Sequence, residues 1–310
     1  SEIYKEINSE ISSSYAFSLN SLGILYKHTD RYKEAEEHYI KCIEIIEKKY
    51  GKEHEKYALE LNNLASLYEE LGQYSKAESY YLNSQEIIKK SSGENSELYA
   101  KSLKIVASFY KTIGNYSASE QYYVKSSDIY KEVNGDLSSN YAFSLNSLGI
   151  LFEHIDRYKE AEEYYFKYLE IIEKIYGKEH ENYSFGLNNL AGLYEALGQF
   201  AKAESYYLES LEIKKNSKGE KSEMYAKSLK TVASFYKTIG NYSKSEECYI
   251  KSSEIYKEAN GELSSNYAGS LNSLGILYKS IDRYKEAEDH YNKYQEIIEK
   301  IYGKEHENYS

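Results

Sequence analysis

Residues 61–81, LNNLASLYEELGQYSKAESYY, decide the fold, because most of the 310-residue chain is this stretch and its flanks written again. Leu19, Leu61, Leu103, Leu145, Leu187, Leu229 and Leu271 each open an equivalent segment, and each follows the last by 42 residues. A period of that length marks a solenoid of stacked supersecondary units. Within the stretch, Leu61, Leu64, Ala65 and Tyr68 fall at i, i+3, i+4 and i+7, which puts them on one face of a helix. Gly72 interrupts the pattern where a residue at ease with positive φ closes a helix. Tyr74, Ala77, Tyr81 and Ser84 then share a face of a second helix, which Ile87 and Ile88 extend and Gly93 ends. One such helix pair leaves an apolar flank on each side, so only stacking of copies makes a continuous core.

The order Leu61, Leu64, Ala65, Tyr68, Gly72, Tyr74, Ala77, Tyr81 resembles the tetratricopeptide repeat. The longer period, with LNNLA, LY, G.Y, AE and then a G..H loop, is similar to the kinesin light chain subtype, and the resemblance spans essentially the whole chain. It implies an all-α, right-handed superhelical solenoid of antiparallel helix pairs that binds proteins; it implies no particular partner, since function resides in sites and not in folds. Some residues depart from the family. Its proline near the end of the second helix is missing, the chain has no proline at all, and His54, His180 and His306 are followed by Glu where the subtype has Pro. Helix ends must then be set by glycine and capping residues. In three copies the turn residue is Asp30, Asp156 or Asp282, a type that tolerates the left-handed region better than most. Tyr168 and Tyr294 replace the small residue found at Ser84, which predicts wider packing or a redirected second helix there.

Residues 1–9, SEIYKEINS, match 253–261, SEIYKEANG, and read as the end of a preceding repeat. Seven repeats follow, at 10–51, 52–93, 94–135, 136–177, 178–219, 220–261 and 262–303. Residues 304–310, KEHENYS, copy 178–184 and start a further repeat. YAFSLNSLGIL at Tyr15 returns at Tyr141 and nearly so at Tyr267, so the duplication unit is a triplet whose first helices read LNSLGIL, LNNLA.L and LK.VASF. Neither end carries the polar outer face of a capped solenoid. The expectation is an internal window of a longer array, or copies stacked end to end into a homo-oligomer.

Composition excludes several function classes. With 50 acidic against 39 basic residues the net charge is −11, whereas a nucleic-acid footprint is normally basic. No apolar run approaches the roughly 18 residues that suggest a membrane span. Cys42 and Cys248 lie in different copies without a Cys-x-x-Cys pattern, so neither a disulfide framework nor a zinc site is expected, and reduced thiols fit the cytoplasm. The Asn-x-Ser sequons at Asn115, Asn182, Asn241 and Asn308 are what a chain rich in Asn and Ser produces by chance. The seven histidines mostly follow the repeat and read as loop or cap residues. No phosphate-binding glycine loop, nucleophile elbow or paired-carboxylate arrangement is present. A non-enzymatic chain without cofactor or metal is expected.

In the family that the repeat resembles, first helices line a concave groove, and the residue after the first Leu faces it. Here that residue is Asn20, Asn62, Lys104, Asn146, Asn188, Lys230 and Asn272. Asn donates and accepts at once, so the row either suits an extended peptide backbone or bridges neighbouring first helices. Lys101, Lys104 and Lys111 share a helix face, as do Lys227, Lys230 and Lys237. Each trio is either a basic patch for an acidic peptide or C-terminal carboxylate, or a solvated face paired with Glu69, Glu70 and Glu195, at about 0 to 1 kcal/mol per exposed pair. Tyrosine is abundant, 39 residues with no Trp. Tyr80 beside Tyr81 and Tyr206 beside Tyr207 put a second ring about 100° around the helix, where exposed rings would form a stripe for lateral association. The sequence thus reads as a scaffold holding a partner peptide or helix in its groove. The alternatives are a structural array that self-assembles into or along a filament, and the sensor repeats of a larger nucleotide-binding or effector protein.

Overall fold

Gly72 takes φ 68° and brings the Gln73 N–H to the Tyr68 carbonyl at 2.8 Å, closing one helix and reversing the chain into the next. Asp30, Asp156 and Asp282 make the same turn with φ of 57°, 60° and 60°. Each aspartate then accepts a hydrogen bond from the tyrosine two residues on, Tyr32, Tyr158 or Tyr284, which ties the turn to the start of the second helix. Second helices end at glycines of positive φ, such as Gly51 at 85° and Gly93 at 87°.

The computed structural model describes residues 13–303. Among these, fourteen helices and no strands occur. First helices are α1 Ser13–His28, α3 Glu55–Glu70, α5 Glu97–Thr112, α7 Ser139–His154, α9 Glu181–Ala196, α11 Glu223–Thr238 and α13 Ser265–Ser280. Second helices are α2 Tyr32–Tyr50, α4 Tyr74–Ser92, α6 Tyr116–Asn134, α8 Tyr158–Tyr176, α10 Phe200–Lys218, α12 Tyr242–Asn260 and α14 Tyr284–Tyr302. The partial copies expected at 1–9 and 304–310, with His306 and the Asn308 sequon, lie outside the described residues, as do residues 10–12.

The caps replace the missing prolines. Ser96, Ser138, Ser222 and Ser264 accept from the backbone N–H three residues on, and the His54 and His180 rings accept from Lys56 and Asn182. Asn115 and Asn241, read as chance sequons, cap α6 and α12.

The chain divides into two units, one ending at Tyr164 and the other starting at Tyr165, inside α8. In unit 1 an apolar cluster runs from Leu19 through Leu61, Leu64 and Leu103 to Tyr130. In unit 2, Tyr225, Leu229, Leu271 and Ile298 form one cluster, and Ala233, Tyr249, Leu274 and Tyr278 another. Each fully buried leucine contributes about 1.5 to 3 kcal/mol. Ala58, Ala65 and Ala77 are wholly buried. The Ser84 hydroxyl donates to the Ala58 carbonyl at 2.7 Å, and Ser126, Ser210 and Ser252 repeat this bond to Ala100, Ser184 and Ala226. Cys42 takes the same place and points its thiol at the Ala16 carbonyl, 3.2 Å away. Successive copies are tied by Tyr68 donating to Glu36, Tyr110 to Glu78, Tyr236 to Glu204 and Tyr278 to Glu246.

Two expectations need correction. Tyr74, placed by its spacing on the buried face, is 46% exposed, because as the first residue of α4 it sits where the chain has only just left the turn. Tyr168 does not pry the packing open. Its ring is fully buried over Gly186, where a Cβ would lie 2.7 Å from the ring carbons, and its hydroxyl donates to the Asn182 carbonyl at 2.9 Å. A large residue on α8 is matched by a missing side chain on α9.

Candidate functional site

On α3 the core takes Tyr57, Ala58, Leu61, Leu64, Ala65, Leu67 and Tyr68. That leaves Leu59, Asn62, Ser66 and Glu69, at i, i+3, i+7 and i+10, along an open face. The predicted site residues occupy this face in every copy. In unit 1, Asn20, Asn62, Lys104 and Lys111 are half-buried, Lys101 is exposed, and Asn146 is withdrawn to 4% exposure. In unit 2, Asn188, Lys230, Lys237 and Asn272 are half-buried and Lys227 is exposed.

Consecutive open faces are bridged in unit 1. Asn63 donates to Asn20 Oδ1 at 3.0 Å, while Lys27 donates to Ser66 at 3.0 Å and to Glu70 at 2.8 Å. Bridging between first helices therefore occurs at Asn20, whose partner is Asn63, one residue past the predicted row; the Asn62 side chain makes no hydrogen bond among the described residues. The proposed pairing of the lysine trios with Glu69, Glu70 and Glu195 does not form. Glu70 is taken by Lys27, and Glu69 and Glu195 accept from Tyr81 and Tyr207 because these rings point back along their own helix pair. Among the described residues none of the six lysine side chains makes a hydrogen bond or an ion pair. Burial alone pushes the Lys104 and Lys230 amines below the usual lysine range.

Sequence reasoning missed the column three residues earlier on the same face. It reads Phe17, Leu59, Lys101, Phe143, Phe185, Lys227 and Gly269, and Leu59 and Phe185 are 38% and 43% exposed. The helical spacing that picked out Lys101 and Lys227 would have found the rest.

Tyr80 and Tyr206 do not form the expected exposed stripe. Tyr80 stacks on Tyr68 with centroids 5.6 Å apart, and Tyr206 on Tyr194 at the same distance. Lys76 and Lys202 lie over the Tyr68 and Tyr194 rings at 4.8 and 4.6 Å. Each second ring is half-buried by the aromatic side chain of its own first helix. Toward the second helices, cavities of about 360 Å³ beside Tyr99 in unit 1 and about 310 Å³ beside Tyr267 in unit 2 occupy equivalent places and are a property of repeat packing. No helix among the described residues is long and apolar enough to cross a membrane.

The tetratricopeptide repeat profile matches residues 14–90, 57–132, 98–171, 142–216 and 224–300. Among solved structures the chain is similar to BtubC (BKLC) from P. vanneervenii, 20% identical, covering 75% of this chain and 92% of that one with a TM-score of 0.61. It is similar to a Podosopora anserina protein described as a kinesin light chain with nearly identical TPR-like repeats, 20% identical over 65% of this chain and 95% of that one, TM-score 0.56. A Rap protein complexed with Competence and Sporulation Factor is 16% identical over 97% of this chain and 80% of that one, TM-score 0.58. At these identities the likeness is one of fold. No curated protein matches the sequence.

Proposed function

Because the chain belongs to the tetratricopeptide repeat family, we propose that it is a non-enzymatic scaffold that takes an extended peptide or a helix of its partner on the open face of its first helices. The observation that carries this reading is the set of lysines on that face whose side chains have no partner among the described residues, in a chain of net charge −11. A cation drawn partly out of water without a counter-charge is costly, and Lys104 and Lys230 are in that state. A partner carboxylate relieves the cost with a charge-assisted hydrogen bond. Lys101, Lys111, Lys227 and Lys237 extend each basic trio, and Asn62, Asn188 and Asn272 offer amides to a peptide backbone. Leu59, Phe143 and Phe185 give it apolar surface to cover. The Rap relative, complexed with Competence and Sporulation Factor, supports a ligand-holding role for this fold.

The test is selection of a random twelve-residue peptide library on the wild-type chain and on Lys104→Glu/Lys230→Glu. Enrichment of Asp and Glu on the wild type, lost on the double variant, is expected. Recovery of the same peptides from both proteins would remove the lysines from the function.

A further inference from the structure

We propose that Gly269 opens a notch beside Lys230 in unit 2 that admits an acidic side chain of the bound peptide, while Phe143 closes the equivalent place in unit 1. The inference rests on the groove reading above and gives the carboxylate a deeper seat in unit 2 than in unit 1.

Glycine inside a helix is destabilising relative to alanine, so each such glycine needs a cause. For Gly23 and Gly275 the cause is packing: an added Cβ would lie 2.6 Å from the Tyr39 ring and 2.7 Å from the Tyr291 ring. Gly186 makes room for Tyr168 and Leu169 in the same way. Gly269 has no such neighbour. The nearest atom to its absent Cβ is Lys230 Nζ at 4.0 Å, an ordinary contact. The chain's own packing therefore gives no reason for glycine at 269, and the space it leaves opens onto the open face of α13.

The surroundings of that space suit an anion. Lys230, half-buried, reaches across from α11, and its side chain has no hydrogen bond or ion pair among the described residues. Asn272, three residues after Gly269 and on the same face, is also without a hydrogen bond among the described residues. The Ser273 hydroxyl is engaged by the backbone, donating to the Gly269 carbonyl at 2.9 Å. A carboxylate entering the notch would meet a cation and an amide donor over bare helix backbone, close enough for the peptide main chain to approach. In unit 1 the counterpart of Gly269 is Phe143, one triplet earlier and half-buried, with Lys104 in the place of Lys230. A phenyl ring occupies there what unit 2 leaves open.

The test is fluorescence anisotropy with a labelled decaglutamate whose C-terminus is amidated, and in a second arm a neutral Gly-Ser decapeptide with a free C-terminus. Decaglutamate is expected to bind the wild type, to weaken at least tenfold with Lys230→Glu and about tenfold with Gly269→Phe, and to tighten with Phe143→Gly. Phe is native at positions 17 and 143, and Gly269→Ala, which can only favour the helix, provides a milder block expected to weaken binding less. Loss with Lys230→Glu but wild-type binding by Gly269→Phe would overturn the notch and leave the groove reading standing. Wild-type binding by both Lys104→Glu and Lys230→Glu would overturn the groove reading itself. Binding of the Gly-Ser peptide alone would overturn the assignment to an acidic side chain.

Discussion

A methyl group added at Gly186 would lie 2.6 Å from Leu169 and 2.7 Å from the Tyr168 ring, while one added at Gly269 would find only a lysine tip at 4.0 Å. The two glycines should therefore respond in opposite directions. In urea denaturation followed by circular dichroism, Gly186→Ala is expected to destabilise by about 1 to 3 kcal/mol through overpacking. Gly269→Ala is expected to stabilise by about 0.5 to 1 kcal/mol through helix propensity. Equal effects would mean that Tyr168 can move aside. This pairing of Tyr168 with Gly186 was not legible in the sequence, where Tyr168 alone stood out as an oversized residue. Seeing the match requires knowing which side chains of one copy face which of the next.

At the scale of a helix, α10 carries an anomaly of its own. The core position filled by Ile46, Ile88, Ile172 and Ile298, each at most 6% exposed, holds Lys214 in α10. Burial pushes its amine below the usual lysine range by more than Glu181 pulls it back. Lys214→Ile is expected to stabilise by about 1 to 2 kcal/mol from apolar burial, read from the urea midpoint at neutral pH. The folded-state pKa is lowered, so the unfolded chain holds more protons between the two values, and the penalty of the buried charge fades as pH rises through that window. The advantage of Lys214→Ile should accordingly shrink as pH is raised from 7 toward 10; an advantage that stayed constant would mean the amine reaches water. Helix pairs, turns and caps were legible because Leu61, Leu64, Gly72 and their copies repeat without a break and local chemistry sets each end. Tyr74 was misplaced because periodicity says which residues share a face and not where along the helix that face meets its neighbour.

At the scale of the whole chain, which is acidic, two trios of lysine side chains have no partner among the described residues on the open faces of the first helices. The row of Asn and Lys after the first Leu was legible from spacing together with the family resemblance. Which of its members are free was not, because Glu70 could be assigned to Lys27 and Glu69 to Tyr81 only once the helices were in place. The most direct test of the account is lysine acetylation read by mass spectrometry, with and without amidated decaglutamate. The peptide is expected to protect Lys104 and Lys230 and to leave Lys125 and Lys251, on the second helices, as reactive as before. Protection of Lys125 and Lys251 with Lys104 and Lys230 unchanged would contradict it.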